Sequence, residues 1–273
     1  MNNYTSRDGL KLAYKDEGVG LPLICLAGLT RNSSDFDFLA PHVGDVRLIR
    51  PDYRGRGASQ FADFSTYTAA HEARDVLALM DHLGLEKAAF LGTSRGGLIS
   101  MGLAGMARDR LLGVCFNDIG PDIEATGLNN IMDYLGRNPN AKTYEDVAKA
   151  RESVMVGFTG VSRERWIEDS RHLFDETDDG LVINYDPRLR DAFEATAMDP
   201  LPNLWPLFDA LKGLPLALIH GANSDLLSDK TANEMRRRRP DMGYAHVAGR
   251  GHVPFLDEPE SLEVIRAWLG KMQ

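Results

Sequence analysis

The chain has 273 residues, a formal net charge of −9 and 43% hydrophobic residues, which is typical of a folded globular protein. This acidic balance argues against nucleic acid as a partner, because binding a polyphosphate requires clustered lysine and arginine. The two cysteines lie in apolar stretches, which indicates a reducing compartment. No stretch has the pattern of a signal peptide, and none has the roughly 20 apolar residues that span a bilayer. We therefore expect a soluble, cytoplasmic protein with no membrane partner, and the sequence leaves open whether it is a monomer or a homodimer.

The first predicted elements are strands. Leu10, Leu12 and Tyr14 are expected on one face of a strand, with Lys11 and Lys15 on the other. A second strand over 23–26 follows a Gly-Val-Gly turn, so we expect an antiparallel hairpin. Strand and helix patterns then alternate from residue 46, which predicts βαβ units and a parallel sheet with right-handed crossovers. The strands are predicted over 46–50, 88–91 and 112–116, and the helices over 68–83 and 95–107.

The alternation stops at about Pro121 and resumes after about Leu211. An insertion of about 90 residues with helical patterns inside an α/β protein predicts two parts. Residues 1–120 and 212–273 are expected to form the core, and residues 121–211 a helical cap. The insertion has helices predicted over 144–156, 164–174 and 189–197, and the second part of the core has strands over 215–220 and 244–247 and helices over 229–239 and 260–272.

The segment Gly92-Thr93-Ser94-Arg95-Gly96 lies between a predicted strand and a predicted helix. A nucleophilic serine on such a tight turn has a strained backbone, and the residues two before and two after it must be small. The N–H of Arg95 would then point from the helix N-terminus towards an oxyanion formed by attack. The alternative is that Ser94 only caps the helix. The strand–turn–helix context favours a nucleophile.

A general base is available in the segment Gly249-Arg250-Gly251-His252-Val253-Pro254, which follows the last predicted strand. Sites in open α/β sheets form at the carboxyl ends of the strands, so a histidine in this loop can reach Ser94. The other six histidines lie in predicted helices and strands, in the cap or on a loop after a proline, and we interpret them as structural or solvated.

Two further motifs complete the pattern: Ala27-Gly28-Leu29 after the second strand, and PDYRGRGAS over 51–59 after the third. With Ser94 and the His252 loop, they make the chain resemble the α/β-hydrolases of the lidded esterase, lactonase and C–C hydrolase group, over nearly the whole core. The resemblance implies an eight-stranded, mostly parallel sheet flanked by helices, acyl-enzyme chemistry on Ser94, and His252 as general base and then acid.

The resemblance also implies an oxyanion hole formed by the backbone N–H groups of Leu29 and Arg95. Many relatives have histidine before the oxyanion glycine, where this chain has Ala27. The donor is a backbone group, so we expect the hole to be kept. This chemistry needs no cofactor, and we find no metal-ligand cluster, phosphate-binding loop or dinucleotide fingerprint in the sequence.

Two acids compete to orient His252. Asp225 follows the strand predicted over 215–220, where most relatives have their acid, but the usual position is Ser224 here and Asp225 is one residue late. Asp118 follows the strand after the elbow helix, 24 residues beyond Ser94, which matches an alternative acid position of several lidded relatives. We favour Asp118 and keep Asp225 as the alternative.

The substrate is less defined by the sequence. Arg31 and Arg54 lie near the expected site, where a guanidinium could bind a substrate carboxylate; the simpler interpretation is that they pair with structural acids. We expect a small-molecule acyl substrate, with a carboxylic ester or lactone as the bond cleaved. The alternatives are a C–C bond of a ring-cleavage diketone and a non-catalytic ligand-binding protein on the same scaffold.

Overall fold

The structure is a computed structural model that describes residues 1–197 and 202–273, so residues 198–201 of the predicted cap lie outside it. Eight strands form one sheet in the order β1-β2-β4-β3-β5-β6-β9-β10. The β1–β2 and β2–β4 pairs are antiparallel, and all the other neighbours in this sheet are parallel. The strands are β1 (Asn2–Thr5), β2 (Lys11–Glu17), β3 (Leu21–Leu26), β4 (Val46–Pro51), β5 (Ala88–Thr93), β6 (Leu111–Asn117), β9 (Leu216–Gly221) and β10 (Gly243–Val247).

The N-terminal hairpin differs from the prediction. β2 pairs with β1 and β4, and β3 lies on the far side of β4, so the strands on either side of the Gly-Val-Gly turn are not neighbours. The hairpin is instead formed by β1 and β2, with Asn2 opposite Tyr14. The short polar β1 has no apolar alternation that would mark it as a strand, and pairing with β2 supplies its hydrogen bonds.

Helices flank the sheet and cover its apolar core. α2 packs on β5 and β6, α9 packs on β9 and β10, and α1 lies against α2. Ile24, Phe90, Phe116 and Leu218 from four central strands are fully buried, as expected for strands covered on both faces. The helices are α1 (Ala69–His82), α2 (Arg95–Ala107), α3 (Ala125–Tyr134), α4 (Tyr144–Val154), α5 (Arg163–Leu173), α6 (Leu189–Ala197), α7 (Trp205–Asp209), α8 (Asp229–Arg238) and α9 (Pro259–Leu269).

Helices α3 to α7 lie in the chain between β6 and β9, within the predicted insertion. This segment also contains a two-stranded hairpin, β7 (Phe174–Thr177) and β8 (Gly180–Ile183), which the helical patterns did not predict. Its turn is Asp178-Asp179, followed by Gly180 with a φ of 125°. The segment contacts the loops at the carboxyl ends of the sheet: the Asp186 N–H donates to Gly55, and the Thr159 N–H donates to Gly249.

The described helices are too short and too polar to serve as membrane spans. No helix within residues 1–197 and 202–273 is long and apolar enough to cross a bilayer.

Candidate active site

Ser94 lies on the turn between β5 and α2. Its backbone has φ 49° and ψ −111°, a conformation that residues other than glycine rarely adopt. The flanking glycines make this turn possible. A Cβ at Gly96 would overlap the carbonyl oxygen of Leu26, and a Cβ at Gly92 would lie 2.5 Å from the backbone of Gly96. The small residues around Ser94 are therefore required by the close approach of α2 to the strands.

The Ser94 hydroxyl does not cap α2, since it accepts no hydrogen bond from a backbone N–H of the helix. It lies instead 2.9 Å from Nε2 of His252 and is placed to donate to it. On the other side of the ring, Nδ1 of His252 lies 2.8 Å from Oδ2 of Asp118. A carboxylate only accepts, so Nδ1 carries the proton and Nε2 presents its lone pair to Ser94.

Asp118 is fully buried at the end of β6 with a φ of 55°. Its Oδ1 accepts the Gly221 N–H at 2.8 Å, and its Oδ2 accepts the Ser224 hydroxyl at 2.6 Å in addition to the His252 ring. Three donors thus fix the carboxylate in one orientation. Strained backbone at a non-glycine residue is a feature that clusters at active sites.

Asp225 is placed differently. Its Oδ2 accepts a hydrogen bond from the side-chain amide of Asn130 at 2.6 Å, and no hydrogen bond joins it to His252 among the described residues. The loop instead turns Ser224, one residue earlier, towards Asp118. The position that most relatives use for the acid thus contributes a hydroxyl donor to the acid on β6.

The backbone N–H groups of Leu29 and Arg95 are free to bind a ligand. Leu29 follows β3 in a loop, Arg95 is the first residue of α2, and within the described residues neither N–H has an acceptor in the protein. The first N–H groups of a helix have no partner in the helix itself, and they bind anions well.

A largely buried cluster of charges lies between the backbone of Leu29 and the side chain of Arg95. The side chain of Arg56 donates to the Leu29 carbonyl at 3.1 Å and lies 2.7 Å from Glu72, and Arg95 donates to the other oxygen of Glu72 at 2.7 Å. Burial alone would raise the pKa of Glu72, but the two guanidinium groups outweigh it and lower that pKa, so Glu72 is ionised. The Arg56–Glu72–Arg95 cluster therefore carries a net positive charge of one.

Arg31, one of the two predicted substrate-binding arginines, is engaged by acids. Its guanidinium binds Asp35 and Asp169, and Asp169 also binds Arg151 of α4. Burial raises the pKa of Asp169, but the two arginines outweigh it and lower that pKa to about 2. This group of charges ties the loop after β3 to helices α4 and α5 of the insertion.

The low pKa of Asp169 makes stability depend on pH. The folded-state pKa lies below the ordinary value of about 3.9, so the stabilisation is present above about pH 4 and is lost as the pH falls towards 2. We expect Asp169→Asn to lower the free energy of unfolding at pH 7 by about 3 kcal/mol, since it removes an acid partner from two mostly buried arginines, of which Arg31 keeps Asp35.

Urea unfolding of wild type and Asp169→Asn at pH 7 and at a series of values below 4 checks this expectation. The difference in free energy of unfolding between the wild type and Asp169→Asn should shrink as the pH falls. Asp175→Asn, at an exposed position of β7, is the control and should change little. A difference that stays constant down to pH 2 would contradict the assignment.

Arg54, the second predicted substrate-binding arginine, is only 2% exposed. It makes two hydrogen bonds of 2.7 Å with Asp75 and further bonds of 3.0 and 3.2 Å with Asp8. These contacts match the interpretation in which the arginines pair with structural acids. They leave Arg54 no exposed group with which to reach a substrate.

The sequence did not point to several residues that support this site. Ser224 and Gly221 hold Asp118, and only the presence of serine at the usual acid position could have signalled this. Glu72 and Arg56 lie far apart in the chain from Arg95, and a glutamate in the first turn of an amphipathic helix is ordinarily solvated. Its complete burial is visible only in three dimensions.

Comparison with known proteins gives the family of this chain. Residues 23–263 match the model of the alpha/beta hydrolase family. The chain belongs to the α/β-hydrolase family. Its eight-stranded, mostly parallel sheet with flanking helices is the fold that the sequence motifs predicted, and this prediction is confirmed.

This α/β-hydrolase is similar to proteins described as hydrolases. It is 33% identical to the 3-hydroxybutyrate-oligomer hydrolase of Cupriavidus necator over 89% of this chain and 86% of that protein. It is 24% identical to the esterase YbfF of Escherichia coli over 91% of this chain and 92% of that protein. The crystal structure of an α/β-hydrolase from Novosphingobium aromaticivorans has 34% identity and a TM-score of 0.92, covering 99% of this chain and 97% of that one. Hydrolysis is therefore the general class of activity of this α/β-hydrolase.

Proposed function

We propose that this chain is a serine hydrolase that cleaves a small-molecule carboxylic ester through an acyl-enzyme on Ser94. The observation that carries the proposal is the continuous hydrogen-bonded series from the Ser94 hydroxyl through His252 to Asp118, with contacts of 2.9 and 2.8 Å. A nucleophile, a base and an acid that orients the base are the three parts of a serine-hydrolase triad.

In the first half of the reaction, the Ser94 oxygen attacks the ester carbonyl while Nε2 of His252 takes the serine proton. The carbonyl oxygen becomes an oxyanion and accepts hydrogen bonds from the backbone N–H groups of Leu29 and Arg95. These groups are already oriented before the charge develops. The intermediate then collapses: the C–O bond to the alcohol breaks, and His252 gives its proton to the leaving oxygen. The products of this half are a free alcohol and an ester on Ser94.

In the second half, a water molecule replaces the alcohol. His252 takes a proton from the water as the water oxygen attacks the acyl carbonyl, and the same two N–H groups stabilise the second oxyanion. Collapse breaks the bond to the serine oxygen, which recovers its proton from His252. Asp118 stabilises the imidazolium in both halves and remains ionised.

We further propose that residues 121–211 form a cap over this site. The contacts of the described part of the insertion support this, because Asp169 of α5 binds Arg31 near the oxyanion loop and Thr159 bonds to the glycine at the start of the His252 loop. A cap in this position would select the acyl group and exclude bulk water.

For the substrate, we propose short ester-linked hydroxy acids. The support is the 33% identity to a protein described as a 3-hydroxybutyrate-oligomer hydrolase, over most of both chains. The geometry of Ser94, His252 and Asp118 is suited to acyl transfer in general, so the bond that is cleaved has to be measured directly.

The test combines labelling with a substrate panel. We expect a fluorophosphonate to modify the wild type at Ser94, as located by peptide mass spectrometry, and to leave Ser94→Ala unmodified. We also expect the wild type to hydrolyse the linear dimer of 3-hydroxybutyrate faster than a lactone or a vinylogous 1,5-diketone of equal size.

The possible outcomes separate the alternatives. Labelling with cleavage of only the lactone or only the diketone would overturn the ester assignment while keeping the nucleophile. A folded wild type that is neither labelled nor active on any member of the panel would instead indicate a ligand-binding protein on this scaffold.

A further inference from the structure

The sequence suggested no metal site, but the fold brings three metal-binding side chains together at the edge of the sheet. His220 of β9 and His246 of β10 are paired in register on neighbouring parallel strands, and their ring centres are 5.3 Å apart. Asp229, the first residue of α8, places Oδ1 at 3.9 Å from Nδ1 of His220 and 3.8 Å from Nε2 of His246. The three potential ligand atoms all lie within 4.8 Å of one another.

The protonation of His220 suits metal binding. Its Nε2 lies 2.9 Å from the carbonyl oxygen of Leu227, so this nitrogen must carry the proton and donate it. Nδ1 therefore presents a lone pair towards Asp229 and His246, and the Tyr244 hydroxyl is placed to donate to it at 3.1 Å. A second ring nitrogen held by a carbonyl is the usual arrangement of a histidine that binds a metal, because it fixes the tautomer and the ring orientation. A metal would replace the tyrosine hydroxyl as the partner of this lone pair.

We propose that His220, His246 and Asp229 form a divalent-metal site that takes Zn²⁺. Two imidazole nitrogens and one carboxylate oxygen, with water in the fourth position, make a ligand set that suits zinc and not the oxygen-preferring Mg²⁺ or Ca²⁺. Bonds of about 2.0–2.1 Å place the ligand atoms of a tetrahedral site about 3.4 Å apart. The Asp229 oxygen lies at 3.9 and 3.8 Å from the two histidine nitrogens, and the three atoms are within 4.8 Å of one another, so the ligands have to move closer together. Asp229 and His246 can supply this movement because their side chains are 75% and 48% exposed.

The site would connect three elements at one edge of the molecule. β10 is the outermost strand on this side, and α8 is joined to β9 through the loop that contains Ser224 and Asp225. A bound ion would cross-link β9, β10 and the start of α8. Zinc binding should therefore stabilise the folded state, since the unfolded chain does not preform the three ligands.

The experiment uses the full chain without a polyhistidine tag, freed of metal by a chelator. We expect calorimetric titration with zinc chloride to show one site in the wild type, and we expect zinc but not magnesium to raise Tm. His246→Ala and Asp229→Asn should each weaken zinc binding at least tenfold, because each removes a ligand from an exposed position that does not disturb the core.

His42→Ala is the matched control, because it removes an exposed histidine outside this cluster and should bind zinc as the wild type does. The proposal is overturned if the wild type binds no zinc, or if His246→Ala and Asp229→Asn bind it with unchanged affinity and stoichiometry. These measurements do not depend on catalysis, so they stand whether or not Ser94 acts as a nucleophile.

Discussion

Replacing Ser94 with alanine will lower kcat for an activated ester such as p-nitrophenyl butyrate by about 10⁶-fold. The change removes the hydroxyl that lies 2.9 Å from Nε2 of His252 and that we propose as the nucleophile. It keeps the N–H groups of Leu29 and Arg95 that we propose as the oxyanion hole, so the small residual rate will come from binding and from these donors. Steady-state kinetics with the purified variant measures the loss.

The control for this variant is Ser153→Ala, which removes an exposed hydroxyl from α4. It should retain the wild-type kcat. Alanine at position 94 keeps the fold because the serine hydroxyl makes no capping bond to α2, and circular dichroism should confirm this. A Ser94→Ala variant that remains within tenfold of the wild type would show that the nucleophile lies elsewhere.

The second large effect concerns the acid. We expect Asp118→Asn to lower kcat by about 10⁴-fold, because an amide can donate to Nδ1 and thereby favours the wrong tautomer of His252. The amide would also face the Ser224 hydroxyl, which now donates to the carboxylate at 2.6 Å. The ester assay used for Ser94→Ala measures the loss, and thermal unfolding separates it from a loss of folded protein.

Asp225→Asn is a closely matched control for this experiment. It makes the same chemical change at the alternative acid, in the loop after β9. Its side chain bonds to Asn130, a contact that an asparagine can keep in part. We expect kcat within a few-fold of the wild type. The opposite result, with Asp225→Asn inactive and Asp118→Asn active, would require the loop after β9 to rearrange during the reaction and would assign the acid to Asp225.

Much of the fold could be predicted from the sequence, because its helices and parallel strands have strong local patterns. Thr68 and the apolar spacing after it predict α1, and the structure has Thr68 as the cap of Ala69–His82. The strand–turn–helix context of Ser94 is equally local. Prediction was wrong at the N-terminal hairpin, where pairing of β2 with β4 depends on a strand that is distant in the chain.

The acid shows where local patterns stop being informative. Both Asp118 and Asp225 follow a strand whose carboxyl end lies at the site, and spacing alone leaves either of them open. What differs is the direction of the side chain after β9: Ser224 points to Asp118, and Asp225 points to Asn130 of α3. That direction depends on the insertion, whose packing cannot be derived from its helical periodicity.

The charged side chains were hardest to predict, because each depends on a partner that is remote in sequence. Glu72 is in the first turn of α1 and would be exposed if α1 packed by its apolar face alone. It is buried because two arginines converge on it, Arg56 from the loop after β4 and Arg95 from the first turn of α2. The pairing of His220 with His246 is likewise a result of strand order, which brings β10 beside β9.

The Arg56–Glu72–Arg95 cluster has a consequence for how this enzyme can be altered by mutation. Replacing Glu72 leaves two guanidinium groups close together without a counter-charge, whereas replacing Arg56 or Arg95 leaves a single arginine–glutamate pair. A library that varies Arg95 should therefore yield mostly folded variants, and one that varies Glu72 mostly poorly folded ones. A change of Glu72 has to be combined with changes at positions 56 and 95, for example to three uncharged residues of similar volume, so the evolvability of the site is limited by a residue that need never touch the substrate.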